Sequence, residues 1–595
     1  MVTIMTMNVR WSLTELYPSF EAELFKKDME ECLDSIERIK EWAKEKLVDN
    51  QNPAEKLVEY IQMQNALMAK YSRLYSYGSL VRSVDAKNEA ALALIEKLQL
   101  LRTELTEPSV RFQKWVSKLD NLDSLIAASD VLKEHSYYLK EIVRESKYLL
   151  SDKEEVMISK LKNTGSSAWS KLQELLSSTL QVDITLNGEE KKLPLPIVRN
   201  LAYDKDQAVR KTAYEAELSA YKKIEESSAA CLNGIKGEVI TLTKMRGYDS
   251  PLAKTIIDSR LDNKVLEAML SAIQESLPTF RRFYRRKAEI LGYQGGLPFY
   301  ELFAPLGQAD LQYTYGEAQE FIVDNFRSFS DKLADFAENA FNKQWIDAEP
   351  REGKSGGAFC ANLHSIGESR ILANFTGSFS DVTTLAHELG HGYHGACLAD
   401  ETYLNSGYPM PIAETASIFC ETIIKNAALQ KAGKEEAFAI LENDLSDSGQ
   451  VIVDIYSRFL FETELFTQRE EGSLSVNRLK EAMLKAQKTA YGDGLDSESL
   501  HPYMWVCKPH YYSASSNYYN FPYAFGLLFA KGLYAEYLNR GEAFIKEYDS
   551  LLAVTGKLDI ADITKIMGID VRSLDFWRKS LKLIEKDIEL FINIK

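Results

Sequence analysis

His387 and His391 lie four residues apart, with Glu388 beside the first, in Ser380-Asp381-Val382-Thr383-Thr384-Leu385-Ala386-His387-Glu388-Leu389-Gly390-His391. On a helix such positions share one face, so both imidazoles can reach a single ion. Glu388 can then reach a water on that ion without binding the ion itself. The chemistry implied is hydrolysis by a metal-activated water, with Zn2+ as the ion that suits these ligands, one per chain. Ser380 or Asp381 is expected to cap the helix. The bland reading is a surface helix that happens to carry these residues. With 7 His in the chain, a chance match is expected on the order of once per hundred such chains.

A catalytic zinc site takes three protein ligands and a water. The candidate third ligand is Glu414, in Pro411-Ile412-Ala413-Glu414-Thr415-Ala416-Ser417-Ile418-Phe419-Cys420-Glu421. The 22 residues between His391 and Glu414 suffice to close one helix, cross a loop and begin another. Asn405, Gly407, Pro409 and Pro411 supply the loop chemistry. Glu421 follows Glu414 by seven residues and shares its helix face. Its expected role is to accept a hydrogen bond from a ligand histidine and hold the tautomer. A solvated acidic face is the alternative, but Ile412, Ala413, Ala416, Ile418 and Phe419 make the segment look buried. His394 lies on the same face as His387. It is expected to be packed or hydrogen-bonded, because a fourth protein ligand would close the site.

The elements that must position these residues read as helices. Leu94, Leu98, Leu101 and Leu105 form one apolar stripe. Ser151 with Glu154 reads as a capping box. Amphipathic stretches cover 266–291 and 478–491, with a break or kink expected at Pro278. Strand signals are few. A hairpin is expected near 182–193, where Val182, Ile184 and Leu186 alternate before Asn187-Gly188. A second strand is expected at 371–375, just upstream of the histidines.

With 595 residues the chain exceeds one ordinary core. Three segments are expected: an N-terminal helical region over 1–115, a helical subdomain over 116–200 that ends in the hairpin, and a catalytic domain over 201–595. A net charge of −16 argues against nucleic-acid and anionic-membrane partners. The opening MVTIMTMNVRWSLTEL lacks the pattern of a secretory signal, and no apolar run spans a membrane. The six cysteines are sparse and unpaired in pattern, which suits reduced thiols in the cytoplasm. The oligomeric state has no signature.

Together these motifs resemble the thimet-oligopeptidase family of zinc metallopeptidases, and its oligoendopeptidase F branch in particular. The resemblance extends over most of the chain. It runs from Trp11-Ser12-Leu13-Thr14-Glu15-Leu16-Tyr17-Pro18 through Gly353-Lys354-Ser355-Gly356-Gly357-Ala358-Phe359, the HELGH helix and the Glu414 segment to the aromatic stretch around His510. It implies a mostly all-α body split by a long substrate channel, with a small β element near the zinc helix. It also implies endopeptidase action on short unstructured oligopeptides, with Glu388 as general base. His510 and a tyrosine about ten residues later would donate to the oxyanion of the tetrahedral intermediate. Here Tyr523 follows His510 by thirteen residues, while Tyr519 is nearer the usual spacing. The match of Tyr523-Ala524-Phe525-Gly526 favours Tyr523 as donor and leaves Tyr519 as a substrate contact. Gly356, Gly357 and Ala358 could let a substrate backbone approach an edge strand, or form an ordinary surface turn. Two other readings stay open: an end-directed carboxypeptidase or dipeptidase, and a catalytically silent peptide-binding protein on the same body.

Overall fold

A computed structural model describes residues 9–307 and 311–594. Residues 1–8, on which part of the signal-peptide reading falls, lie outside the described residues. The chain is overwhelmingly helical, with one two-stranded and one three-stranded sheet among the described residues. It divides into two compact units, each assembled from three separate stretches.

The first unit comprises Met1–Lys147, Asp310–Ala427 and Glu536–Ile569. Its core is built around the long helix Pro53–Val84, whose Leu57, Ile61, Leu67 and Leu74 are buried with Leu98, Phe112, Trp115 and Leu139. The leucine stripe behaves as its spacing predicts. Leu94, Leu98 and Leu101 are buried on the helix Glu89–Glu104, and Leu105 just beyond it. The small β element also lies here. β3 (Ile346–Asp347) pairs parallel to β5 (Glu368–Leu372), and β4 (Phe359–Leu363) pairs antiparallel on its other side, which leaves β4 at an edge.

That element corrects the strand expected at 371–375. It ends at Leu372, because the residues with the β5 register partners come earlier, from Glu368 onward. Ala373 and Phe375 still donate backbone hydrogen bonds to Asp347 and Ala348, which extends the chain without making a ladder.

The second unit comprises Tyr148–Ala309, Ala428–Ala535 and Asp570–Lys595. The capping box forms as expected, with Ser151 and Glu154 satisfying each other's backbone at the start of Asp152–Thr164. The hairpin also forms, from β1 (Gln181–Leu186) and β2 (Glu189–Pro194). Asn187 and Gly188 have φ of 54° and 79°, the left-handed pair that a tight two-residue turn demands. The amphipathic stretch near 478–491 is the helix Val476–Tyr491.

Pro278 does not break its helix, which runs unbroken from Asn263 to Ile290. One backbone bond is lost there. Against that loss, Met269, Ile273, Leu277, Phe280 and Phe283 are buried, and the Phe283 ring meets Phe591 of Leu574–Asn593 at 5.2 Å. Burial of each such side chain is worth about 1.5–3 kcal/mol, so together they outweigh one hydrogen bond.

Candidate metal centre

The two histidines sit on the helix Phe379–Cys397. Its cap is Ser378, not Ser380 or Asp381 as the sequence suggested. The reason is the reach of Asp381. Its Oδ2 accepts from the backbone N–H groups of Thr376, Gly377 and Ser378 at 2.8, 3.0 and 3.1 Å, so it serves as the third helical residue of a capping box. Burial opposes its charge, but these hydrogen bonds hold its pKa below the usual carboxylate value.

Four-residue spacing does bring the imidazoles together, with ring centroids 4.9 Å apart. Glu414 arrives from the residue immediately before the helix Thr415–Lys431, and its carbonyl accepts the helix's opening hydrogen bond from Ile418. Its Oε2 stands 3.2 Å from His387 Nε2 and 3.3 Å from His391 Nε2. Among the described residues, His387, His391 and Glu414 form the group able to hold a metal, with ligand atoms all within 4.8 Å of one another. Two imidazole nitrogens and one carboxylate oxygen are the donor set of a three-ligand catalytic site. Each side chain keeps roughly a fifth to a quarter of its surface exposed (26%, 19% and 25% in that order), so the group is open on one side. The residues present therefore fit a divalent metal with a free position.

Around the three ligands the carboxylates are themselves held. Glu421 Oε2 lies 3.3 Å from His387 Nδ1. Lys425 Nζ pairs with Glu421 Oε1 at 2.6 Å, and Ser417 Oγ donates to Glu414 Oε2 at 2.8 Å. Asn362 Nδ2 donates to the His391 carbonyl at 3.2 Å, tying the histidine helix to β4. Burial disfavours charge on His387, but Glu414 and Glu421 outweigh it and hold its pKa up at about 10. Burial opposes charge on both glutamates, but His387 and His391 hold Glu414 well below the usual carboxylate range, and Lys425 and then His387 hold Glu421 there. Glu388 behaves oppositely: it is buried, and burial raises its pKa.

Ser417, Lys425 and Asn362 were not singled out from the sequence. Ser417 is three residues after Glu414, and Lys425 is four after Glu421. Helical spacing could have found both. Nothing local marks Asn362.

His394 is packed, as expected. It is wholly buried, its Nε2 lies 2.8 Å from Thr555 Oγ1, and its ring stacks on Tyr408 at 4.1 Å. Burial and nearby His391 push its pKa down to about 3, so it stays neutral.

Gly390 governs how close the two ligand-bearing segments come. A Cβ there would lie 2.5 Å from the Ala416 carbonyl oxygen and 2.6 Å from Ser417 Cα. Those are backbone atoms, so the segments would have to separate. Gly390→Ala is therefore expected to lower thermal stability by about 1–3 kcal/mol through overpacking and to cut bound metal well below one equivalent. Calorimetric melting and metal analysis on one preparation check this. An unchanged melting temperature with full metal content would refute the close-approach role.

Gly356, Gly357 and Ala358 form the loop entering edge strand β4, where Asn374 Nδ2 donates to the Gly357 carbonyl at 2.9 Å and Gly357 has φ of 77°. His510, Tyr519 and Tyr523 all belong to the second unit. There they gather: the His510 ring stacks on Tyr519 at 4.8 Å, and the Tyr523 and Tyr519 hydroxyls are 3.1 Å apart. Burial, then Arg458 and Lys508, lower the pKa of His510 and favour its neutral form, and its Nδ1 is buried without a hydrogen-bond partner.

The Oligopeptidase F family model matches residues 118–181. Oligopeptidase PepF of Bacillus subtilis is 24% identical over 602 residues, covering 98% of this chain and 88% of the relative. Group B oligopeptidase PepB of Streptococcus agalactiae is 23% identical, covering 97% of this chain and 95% of the relative. In fold, the chain is similar to a structure from Chlamydophila abortus, with a TM-score of 0.85 at 23% identity and 98% of each chain covered. It also resembles oligoendopeptidase-F from Enterococcus faecium, with a TM-score of 0.70 at 18% identity, covering 95% of this chain and 98% of the other. The model of peptidase family M3 matches residues 200–583, which span both histidines, Glu414 and the aromatic stretch, and the chain belongs to that family.

Proposed function

We propose that the chain is a zinc-dependent endopeptidase that hydrolyses internal bonds of short, unstructured oligopeptides. The observation that carries this is the convergence of His387, His391 and Glu414 on one point while neighbouring Glu388 stays out of the ligand set. Two imidazoles and a carboxylate favour zinc among the common divalent ions. Bound there, zinc would supply Lewis acidity towards the scissile carbonyl and lower the pKa of a coordinated water to about 7.

The chain's own residues do the rest. Glu388 accepts the proton of the attacking water and delivers it to the leaving nitrogen. Glu421 accepts from His387 Nδ1–H, which leaves Nε2 free as the ligand atom. His510 and Tyr523 donate to the oxyanion, and Tyr519 and the Gly356-Gly357-Ala358 loop contact the substrate. The six cysteines are free thiols, in keeping with a reducing cytoplasm. Among the described residues no helix is long and apolar enough to cross a membrane.

The test is cleavage of an internally quenched peptide with both ends blocked. Activity should vanish with a zinc chelator and return with zinc. Peptides of roughly 5–20 residues should be cut, since an extended chain of that length fits a domain-sized groove. No cleavage by the zinc-loaded enzyme, or ready digestion of a native globular protein, would refute the reading.

The choice between the two tyrosines is testable separately. Tyr523→Phe removes one oxyanion donor and should cost about 10²–10³ in kcat, with zinc content and KM little changed. Tyr519→Phe should fall by much less. The reverse ranking in steady-state kinetics would make Tyr519 the donor.

A further inference from the structure

Two buried, oppositely charged side chains of the second unit have no part in the mechanism so far. Lys236, on the helix Glu225–Arg246, pairs with Glu462, on the helix Ile455–Glu471, at 2.8 Å. Their side chains are 0% and 4% exposed. Such a pair does not stabilise a fold by default, because an apolar pair of similar volume often serves as well or better. What the two groups hold besides each other explains their presence.

Both hold the segment between His510 and Tyr523. Lys236 Nζ donates to Asn517 Oδ1 at 2.8 Å, and Glu462 Oε2 accepts from the Tyr518 N–H at 3.0 Å. Tyr518 has φ of 51°, in the left-handed region that a bulky side chain rarely adopts. A residue so placed persists only where its surroundings over-determine it. Here Phe459 and Phe466 flank its ring at 5.3 and 5.7 Å, and the Thr255 hydroxyl donates to the Asn517 carbonyl at 3.0 Å. Arg458 donates to Asn520 Oδ1 at 3.1 Å, and the Asn520 carbonyl accepts from the Tyr523 N–H at the start of the helix Phe521–Arg540. Arg458, Phe459, Glu462 and Phe466 fall at helical spacing, so one face of Ile455–Glu471 grips residues 518–520.

That grip fixes the place of Tyr519, the next residue along the chain. Its ring lies on His510 at 4.8 Å, only 13° from parallel, and its hydroxyl accepts from Tyr523 at 3.1 Å. Relaxation of Tyr518 to an ordinary negative φ would swing Tyr519 away from both partners.

We propose that Lys236 and Glu462 are positioning residues for this aromatic group. Glu462 fixes the left-handed Tyr518 through its N–H, and Lys236 compensates the buried carboxylate and ties down Asn517. The pair thereby holds Tyr519 against His510 and the Tyr523 hydroxyl. The inference rests on the proposed roles of His510 and Tyr523 as oxyanion donors, and the effect of the pair on turnover runs through them.

Two double variants remove both charges together, so that neither leaves an unpaired buried ion. Lys236→Met with Glu462→Gln keeps an amide oxygen for the Tyr518 N–H, whereas Lys236→Met with Glu462→Leu offers none. The glutamine variant should keep kcat within about threefold of wild type, because that hydrogen bond is retained. The leucine variant should lower kcat by at least about tenfold, towards the roughly 10²–10³ that one oxyanion donor supplies. Its zinc content should hold, and KM should change less than kcat. Added to Tyr523→Phe, its loss should fall well short of multiplying, since both act through the same hydroxyl. A merely structural role would multiply. If the leucine variant does not melt cooperatively, Glu462→Asn takes the place of Glu462→Leu, since its amide is polar but one methylene too short to reach Tyr518.

The His510 ring gives a readout that needs no cleavage. Stacking on Tyr519 shifts its imidazole proton signals upfield in the NMR spectrum of histidine-labelled full chain, and His510→Gln assigns them. The leucine variant should return these signals towards their unstacked position, and the glutamine variant should leave them in place. If the wild-type protein cleaves no peptide, the peptidase reading fails while the spectrum still decides the positioning. An unmoved His510 signal in the leucine variant, equal turnover of the two double variants, or losses that multiply with Tyr523→Phe would overturn the proposal.

Discussion

Glu388→Gln is expected to lower peptide turnover by about 10²–10⁴ while leaving zinc near one equivalent, because it removes general-base catalysis and no metal bond. Glutamine is nearly the same size, and Glu388 is 6% exposed in a tightly packed helix. The substitution therefore swaps a proton acceptor for an amide without opening a cavity. Burial disfavours the charged carboxylate already, so the neutral amide should be tolerated. Thermal stability should hold or rise slightly. The measurement pairs steady-state cleavage of a quenched peptide with metal analysis of the same sample. An active Glu388→Gln with zinc bound would remove this residue from the proton path. A zinc-free one would make it a ligand.

Glu414→Ala is expected to abolish both metal binding and activity. The carboxylate oxygen 3.2 and 3.3 Å from the two Nε2 atoms is the only acidic contribution to the ligand group. Without it two imidazoles remain, one short of the usual catalytic set. Dialysed protein should therefore carry far less than one zinc and show no cleavage above background. Millimolar zinc should restore a fraction of the activity, since both histidines stay on one helix face. Circular dichroism should remain that of a helical protein, because the truncation removes contacts only from the two imidazoles and the Ser417 hydroxyl and none from the helical backbone. A fully metallated and active Glu414→Ala would mean that another group completes the site. The two substitutions separate cleanly: one leaves metal without turnover, the other leaves neither.

Much of the fold is written in short-range pattern. The leucine stripe, the Ser151–Glu154 box and the Asn187-Gly188 turn each depend on residues within a few positions, and all three form. The errors are also local in origin. Asp381 could cap a helix or close a capping box, and the choice between them needs the position of Thr376, Gly377 and Ser378. Pro278 carries a breaking propensity that side-chain burial on both sides of it overrides.

By itself the sequence determined that His387 and His391 can share an ion, since i and i+4 converge on any α-helix whatever surrounds it. It also marked Glu414 as a candidate, but not that it arrives. That approach spans 22 intervening residues and depends on Gly390, whose missing Cβ lets the backbone at Ala416 and Ser417 come within contact distance. Backbone geometry propagates over a few residues and is legible in order along the chain. Which distant groups meet, and which are left unmatched, is settled by three-dimensional packing, where sequence separation carries no information.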